Sequence, residues 1–139
     1  MKPGLVLVTG ATSGIGRAIA ETLASRRVRV IVTGRNRCRG EAFEATGRDR
    51  GWDTLDFARR LRAIDPDLDV LINNVGGVWP DRGFTPDGLE RTLAVNHVHP
   101  FVLSEALFPL LARRRGKIIH LNTGYHLMVR VKKADWNQQ

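Results

Sequence analysis

The chain has 139 residues, 42% of them hydrophobic and 26% charged, and a net charge of +8; these values describe one globular domain and exclude a disordered chain. Its single cysteine, Cys38, excludes an internal disulfide and points to a reducing, cytoplasmic setting. No stretch approaches the roughly 20 apolar residues that a spanning helix needs, and the first apolar run is broken too early for a secretory signal, so no membrane partner is expected.

Residues 5–9 read as a buried strand between Gly4 and Gly10, and residues 13–25 as a helix with Ile15, Ile19 and Leu23 at helical spacing. Residues 28–33 form a second, β-branched strand. Strand, glycine turn, helix and strand make a βαβ unit joining parallel strands. Residues 35–53 are polar and arginine-rich, so a third strand is expected to be short or missing. Residues 54–64 are helical in pattern and closed by Pro66, and residues 69–72 form a buried strand ending at Asn73-Asn74.

A loop rich in glycine and proline, residues 76–84, leads to Thr85-Pro86, which reads as a helix start. The helix is expected to run from Pro86 to about Arg114, kinked or broken at Pro100 and at Pro109. Residues 117–121 are the last strand, and residues 122–139 are expected to be a loosely ordered tail. The alternation predicts an α/β, Rossmann-type doubly wound parallel sheet in one domain over residues 1–139. The arginine clusters Arg26-Arg27, Arg59-Arg60 and Arg113-Arg114-Arg115 fall at expected helix ends without interleaved aromatic residues. Only net charge therefore supports a nucleic-acid partner, which is disfavoured.

The segment VTGATSGIGRA, residues 8–18, carries the strongest chemical signal. Gly10, Gly14 and Gly16 sit where a strand turns into a helix. Glycine permits the sharp turn and the close approach of a pyrophosphate, and the helix N-terminus offers that anion free N–H groups and a positive dipole end. A dinucleotide is the expected ligand. After the second strand, VTGRN places Gly34 and Arg35 where NAD-selective sheets carry a carboxylate. A guanidinium there suits a 2′-phosphate, with Ser13 adding a hydroxyl, so NADP is expected ahead of NAD.

TGATSGIG resembles the TGxxxGxG element of the short-chain dehydrogenase/reductase family, which makes Thr12 and Ile15 cofactor-contacting positions as well. NNVG, residues 73–76, resembles that family's NNAG and adds Asn74, Val75 and Gly76. VNHVHPF, residues 95–101, resembles the segment holding the catalytic asparagine, here Asn96. IIHLNT, residues 118–123, resembles the strand that ends in the catalytic serine, here Thr123. DGLERTLAVNHVHPFVLSEALFPLL and NTGYH…ADWNQQ are similar to the retinol-dehydrogenase-like branch. The resemblance implies NAD(P)-dependent hydride transfer between an alcohol and a carbonyl, with a tyrosine as acid/base and a lysine four residues later lowering its pKa.

The sequence departs from that pattern in three places. The region before NNVG is short, with Asp53 standing where the family's adenine-contacting aspartate falls and Trp52 beside it. Asn122-Thr123 replaces Ser-Ser. No YxxxK occurs: Val129 stands four residues after Tyr125, and Lys132 and Lys133 are out of register. Tyr125 and the four histidines, His97, His99, His120 and His126, read as structural. The chain is expected to be a truncated family member lacking the last strands, inactive or weak as it stands. Its alternatives are a non-catalytic dinucleotide-binding module and, further off, a basic nucleic-acid binder. An uncovered sheet edge would favour homo-oligomers.

Overall fold

The computed structural model describes residues 4–34, 54–64 and 67–124. Its strands β1 (Leu5–Val8), β2 (Arg29–Val32), β3 (Val70–Asn73) and β4 (Lys117–His120) form one parallel sheet in the order β2-β1-β3-β4. Helices α1 (Gly14–Ser25) and α2 (Thr54–Ile64) lie on opposite faces. A composite helix follows β3: α3 (Arg91–Leu93), a wide π-turn (Ala94–Val98) and α4 (His99–Arg113). The segment read as a short or missing third strand lies outside the described residues.

The alternation of β1 explains the layering. Leu5 and Leu7 point into a cluster with Leu71, Ala58, Leu61, Leu103, Leu107 and Leu111, under α2 and α4. Val6 and Val8 point the other way, into a cluster with Ala11, Ala20, Val28 and Ile72 under α1. Successive strand residues face opposite sides, so a fully apolar strand needs cover on both. All four β1 residues are buried, whereas three of the four in β4 are exposed, which marks β4 as an edge among the described residues.

Both long helices on the C-terminal side of a βα unit end alike. Val28 N–H reaches Leu23 O and Arg27 N–H reaches Ala24 O, with Arg27 left-handed at φ 60°. Gly116 N–H reaches Leu111 O and Arg115 N–H reaches Ala112 O, with Arg115 at φ 51°. Glycine usually fills that left-handed position, and a side chain there costs about 1 kcal/mol. Arg27→Gly is therefore expected to stabilise the fold by about 0.5–1 kcal/mol, read as a higher urea midpoint at unchanged slope. Two of the arginine clusters are helix ends as expected. Arg59-Arg60 is not: it lies within α2, where Arg60 pairs with Asp56 at 2.8 Å on an exposed face.

The Thr85-Pro86 signal marks a turn and not a helix start. Gly88 N–H bonds Thr85 O at 2.9 Å, Gly88 takes φ 75°, and Leu89 N–H bonds the Thr85 hydroxyl at 3.2 Å. Pro-Asp-Gly satisfies a tight turn better than a first helical turn, because only Gly88 tolerates the left-handed step. The flanks pair through the Phe84–Glu90 bridge and Arg91 N–H to Gly83 O, 2.8 Å. The helix starts at Arg91 because the buried Glu90 carboxylate accepts Thr92 N–H and Leu93 N–H, each at 2.8 Å. Burial pushes the Glu90 carboxyl up, but those bonds, the Thr92 hydroxyl and the Arg82 charge outweigh it and hold it below the usual range.

The prolines also act differently from expectation. Pro100 sits in the first turn of α4, directly after the π-turn, in which His99 N–H reaches back to Ala94 O. Pro109 breaks nothing: α4 runs through it to Arg113. It lies with Glu105 on the exposed face, where a helix carbonyl left without a donor is open to hydration.

Candidate functional site

β1 has β2 on one side and β3 on the other, so the chain reverses direction across the sheet at the C-terminal end of β1. Open α/β sheets bind ligands in the crevice at that point. The turn from β1 into α1 brings Gly10, Thr12, Ser13, Gly14, Ile15 and Gly16 to it. Ser13 precedes the first turn of α1 and its hydroxyl makes no cap bond, which leaves the first N–H groups of a 12-residue helix aimed at the crevice.

Close packing around the glycines is the most telling feature. A Cβ on Gly16 would collide with Asn74 Nδ2 and come within 2.6 Å of Gly10 O. A Cβ on Gly10, at φ 64°, would lie 2.9 Å from Val75 Cγ2. Gly14, at φ 57°, faces open space: a Cβ there would meet nothing within 4 Å. Two glycines admit neighbouring chain, and the third leaves room for a ligand.

Asn74 and Thr9 hold the cradle. Asn74 Nδ2 donates to Thr9 O at 2.9 Å and Gly10 O at 3.2 Å, while the buried Thr9 hydroxyl accepts Asn74 N–H at 2.9 Å and Val75 N–H at 3.1 Å. On the other side Ala11 N–H bonds Thr33 O at 2.8 Å, and a Cβ on Gly34 would come 2.8 Å from Thr12 Cβ. The sequence reading named Asn74 but missed Thr9 and Thr33. Their signal is a polar residue at the last buried position of an apolar strand, where it must find partners.

Asn96 lies in the π-turn, a helix defect found most often at functional sites. Its amide is committed: Oδ1 accepts Gly77 N–H at 2.9 Å and Nδ2 donates to Gly77 O at 2.8 Å. The side chain therefore fixes the loop after Gly76. Thr123 sits at the same edge of the sheet, two residues past Leu121, whose N–H bonds Asn73 O at 2.9 Å. It is exposed, and its N–H donates to the neighbouring Asn122 Oδ1 at 3.2 Å. Beneath, Asn73 Nδ2 donates to Ser104 Oγ at 3.1 Å and stands 3.3 Å from His120 Nδ1, and Ser104 Oγ donates to Pro100 O at 2.7 Å. That network ties β3, β4 and the start of α4 together and gives His120 a structural partner. His99 is half-buried; burial lowers its pKa and the Asp87 charge only partly restores it. Arg35, Cys38, Trp52, Asp53, Tyr125, His126, Lys132 and Lys133 lie outside the described residues. Among the described residues no group of histidines, cysteines and carboxylates fits a metal ion, and no helix is long and apolar enough to cross a membrane.

Fold and cradle define a nucleotide-binding protein of the Rossmann type. The chain belongs to the short-chain dehydrogenase family, whose sequence model matches residues 4–132; this bears out the resemblance carried by the four motifs. It is 36% identical over 155 residues to polyprenol dehydrogenase of Mus musculus, covering 96% of this chain and 46% of that protein. It is 31% identical over 154 residues to retinol dehydrogenase 12 of Mus musculus, covering 99% of this chain and 49% of that protein. The crystal structure of a metagenomic short-chain oxidoreductase in complex with NADP matches with a TM-score of 0.71 at 32% identity, over 88% of this chain and 63% of that one. The chain thus spans about half the length of the curated relatives it matches.

Proposed function

We propose that this chain is the cofactor-binding part of an oxidoreductase acting between alcohols and carbonyls, that it binds a nicotinamide dinucleotide, and that it prefers NADP. The observation that carries this reading is the cradle in which Gly10 and Gly16 pack against Asn74 and Val75 while Gly14 faces open space. The pyrophosphate would lie across the N-terminus of α1, with one nucleoside over β2 and the other toward β3 and β4. The bound nicotinamide supplies or accepts the hydride. This chain's residues orient it: Asn74 and Thr9 fix the cradle, Asn96 fixes the loop at Gly77, and Thr123 offers a hydroxyl for a substrate oxygen.

Within these residues no YxxxK provides a phenol with a neighbouring cation, so turnover by this chain alone is expected to be weak or absent. Robust NADPH-dependent reduction of carbonyl compounds would overturn that expectation. Pairing of the outer edge of β4 with a second copy belongs to the same reading, supported by the exposed Ile119 and Leu121.

NADP preference rests on Gly34, packed against Thr12 with no acidic residue beside it, and on Arg35, which follows directly. Removing one charge-assisted contact costs about 1.5–3 kcal/mol. Arg35→Ala is accordingly expected to weaken NADPH binding about 10- to 100-fold in calorimetric titration and to leave NADH binding unchanged. Equal losses for both cofactors would show that Arg35 does not read the 2′-phosphate.

A further inference from the structure

We propose that Trp79, held by Arg91, is the specificity-determining wall of the site and selects flat, apolar groups on the alcohol or carbonyl substrate. The inference rests on the dinucleotide reading above. Trp79 comes three residues after Gly76, in the loop that leaves the C-terminal end of β3, where the nicotinamide half of the cofactor would lie.

Two contacts hold its position. The ring stands against Gly77, where a Cβ would come 2.9 Å from the ring edge, and Gly77 is the residue whose N–H and C=O are both bonded by Asn96. The Arg91 guanidinium carbon lies 5.8 Å from the ring centroid, a cation–π distance. Arg91 is seated in turn on Gly83, where a Cβ would come 2.7 Å from that same carbon, and its N–H bonds Gly83 O at 2.8 Å. Two glycines thus make room for the two partners, and the Phe84–Glu90 bridge closes the loop behind them.

A half-buried tryptophan immobilised in this way, beside a Val78 that is 85% exposed and a Phe84 that is 50% exposed, has its ordering cost met before any ligand arrives. Rigid aromatic faces on scaffold-held loops make economical recognition surfaces for planar apolar groups. A small polar alcohol gains little from such a wall, and an aryl alcohol stacks on it.

The test uses the full chain, with benzyl alcohol and ethanol as probes added to the NADP⁺-saturated protein and followed by thermal shift. Benzyl alcohol is expected to add a concentration-dependent shift beyond that of NADP⁺, and ethanol to add none at equal concentration. Trp79→Ala should weaken the benzyl alcohol response about tenfold and Arg91→Met severalfold, while Trp79→Phe keeps it within about twofold. All three variants should retain the NADP⁺ shift, a readout that a merely structural role would move. An NADP⁺ shift with no benzyl alcohol increment, or an increment unchanged in Trp79→Ala and Arg91→Met, overturns the inference and leaves the dinucleotide reading standing. Absence of any NADP⁺ shift in the parent chain overturns both.

Discussion

Gly16→Ala is expected to abolish dinucleotide binding, with NADPH affinity down at least about 100-fold, and to destabilise the fold by about 1–3 kcal/mol. The added methyl has no free direction. It meets Asn74 Nδ2, which is already bonded to Thr9 O and Gly10 O, and the backbone oxygen of Gly10 at 2.6 Å. Replacing glycine inside a helix would otherwise gain about 1 kcal/mol, so a net loss shows that the clash wins. Gly14→Ala provides the contrast. Its Cβ meets nothing within 4 Å, and the cost to folding is limited to about 1 kcal/mol of left-handed strain. Yet the methyl projects into the space reserved for the pyrophosphate, so binding should be lost while most stability is kept. Calorimetric titration together with urea unfolding of both variants separates packing from ligand approach. Unimpaired binding by Gly14→Ala would mean that the open space before the cradle is not where the anion sits.

Asp69→Ala carries the largest expected effect on folding, a loss of about 3 kcal/mol. This carboxylate fastens the N-terminal edge of the sheet, opposite the site. Oδ2 accepts Gly4 N–H at 2.7 Å and Leu5 N–H at 2.8 Å, Oδ1 accepts Arg114 Nε at 3.1 Å, and its own backbone oxygen accepts Lys117 N–H at 2.9 Å. One residue thereby aligns β1, β3, β4 and the end of α4. Burial pushes the Asp69 carboxyl up, but the Leu5 N–H, Arg114 and Gly4 N–H contacts prevail and hold it below the ordinary value. A depressed carboxylate pKa contributes stability that is complete above the unfolded-state value and is lost as pH falls through the folded-state value. Between about pH 5 and pH 3 the parent chain should therefore lose stability more steeply than Asp69→Ala. Parallel pH profiles for the two would show that the clamp does not act through its charge. Asp69→Asn, which keeps an acceptor oxygen but not the charge, should fall between the two at neutral pH.

How much of this was legible in the sequence follows from the range of the forces involved. The strands, α1 and α2 follow from short-range patterns: apolar runs, helical spacing, and glycines at a strand-to-helix turn. The glycines at the strand-to-helix turn marked Gly10, Gly14 and Gly16, and the family resemblance added Asn74 and Asn96. The start of the helix after β3 was misplaced because Thr85-Pro86 satisfies both a helix start and a Pro-Asp-Gly turn. The choice was made by Glu90, a buried cap of a residue type seldom sought in that role. Pro109 was overrated as a breaker because the exposure of its face is a tertiary property. Asp69, Thr9 and Ser104 gave no local sign of their roles, since the partners that define them, Gly4, Asn74, Val75 and Asn73, are 31 to 66 residues away in the chain. The Trp79–Arg91 contact depends on two glycines that looked like ordinary loop residues.

The central claim, that the β1–α1 cradle of this chain binds NADP, is tested most directly by titrating the folded full-length chain with NADPH and NADH in a calorimeter. Saturable binding of NADPH at one site per chain, with NADH at least about tenfold weaker, is the predicted result. A chain that is folded by circular dichroism and takes up neither cofactor at millimolar concentration would contradict it.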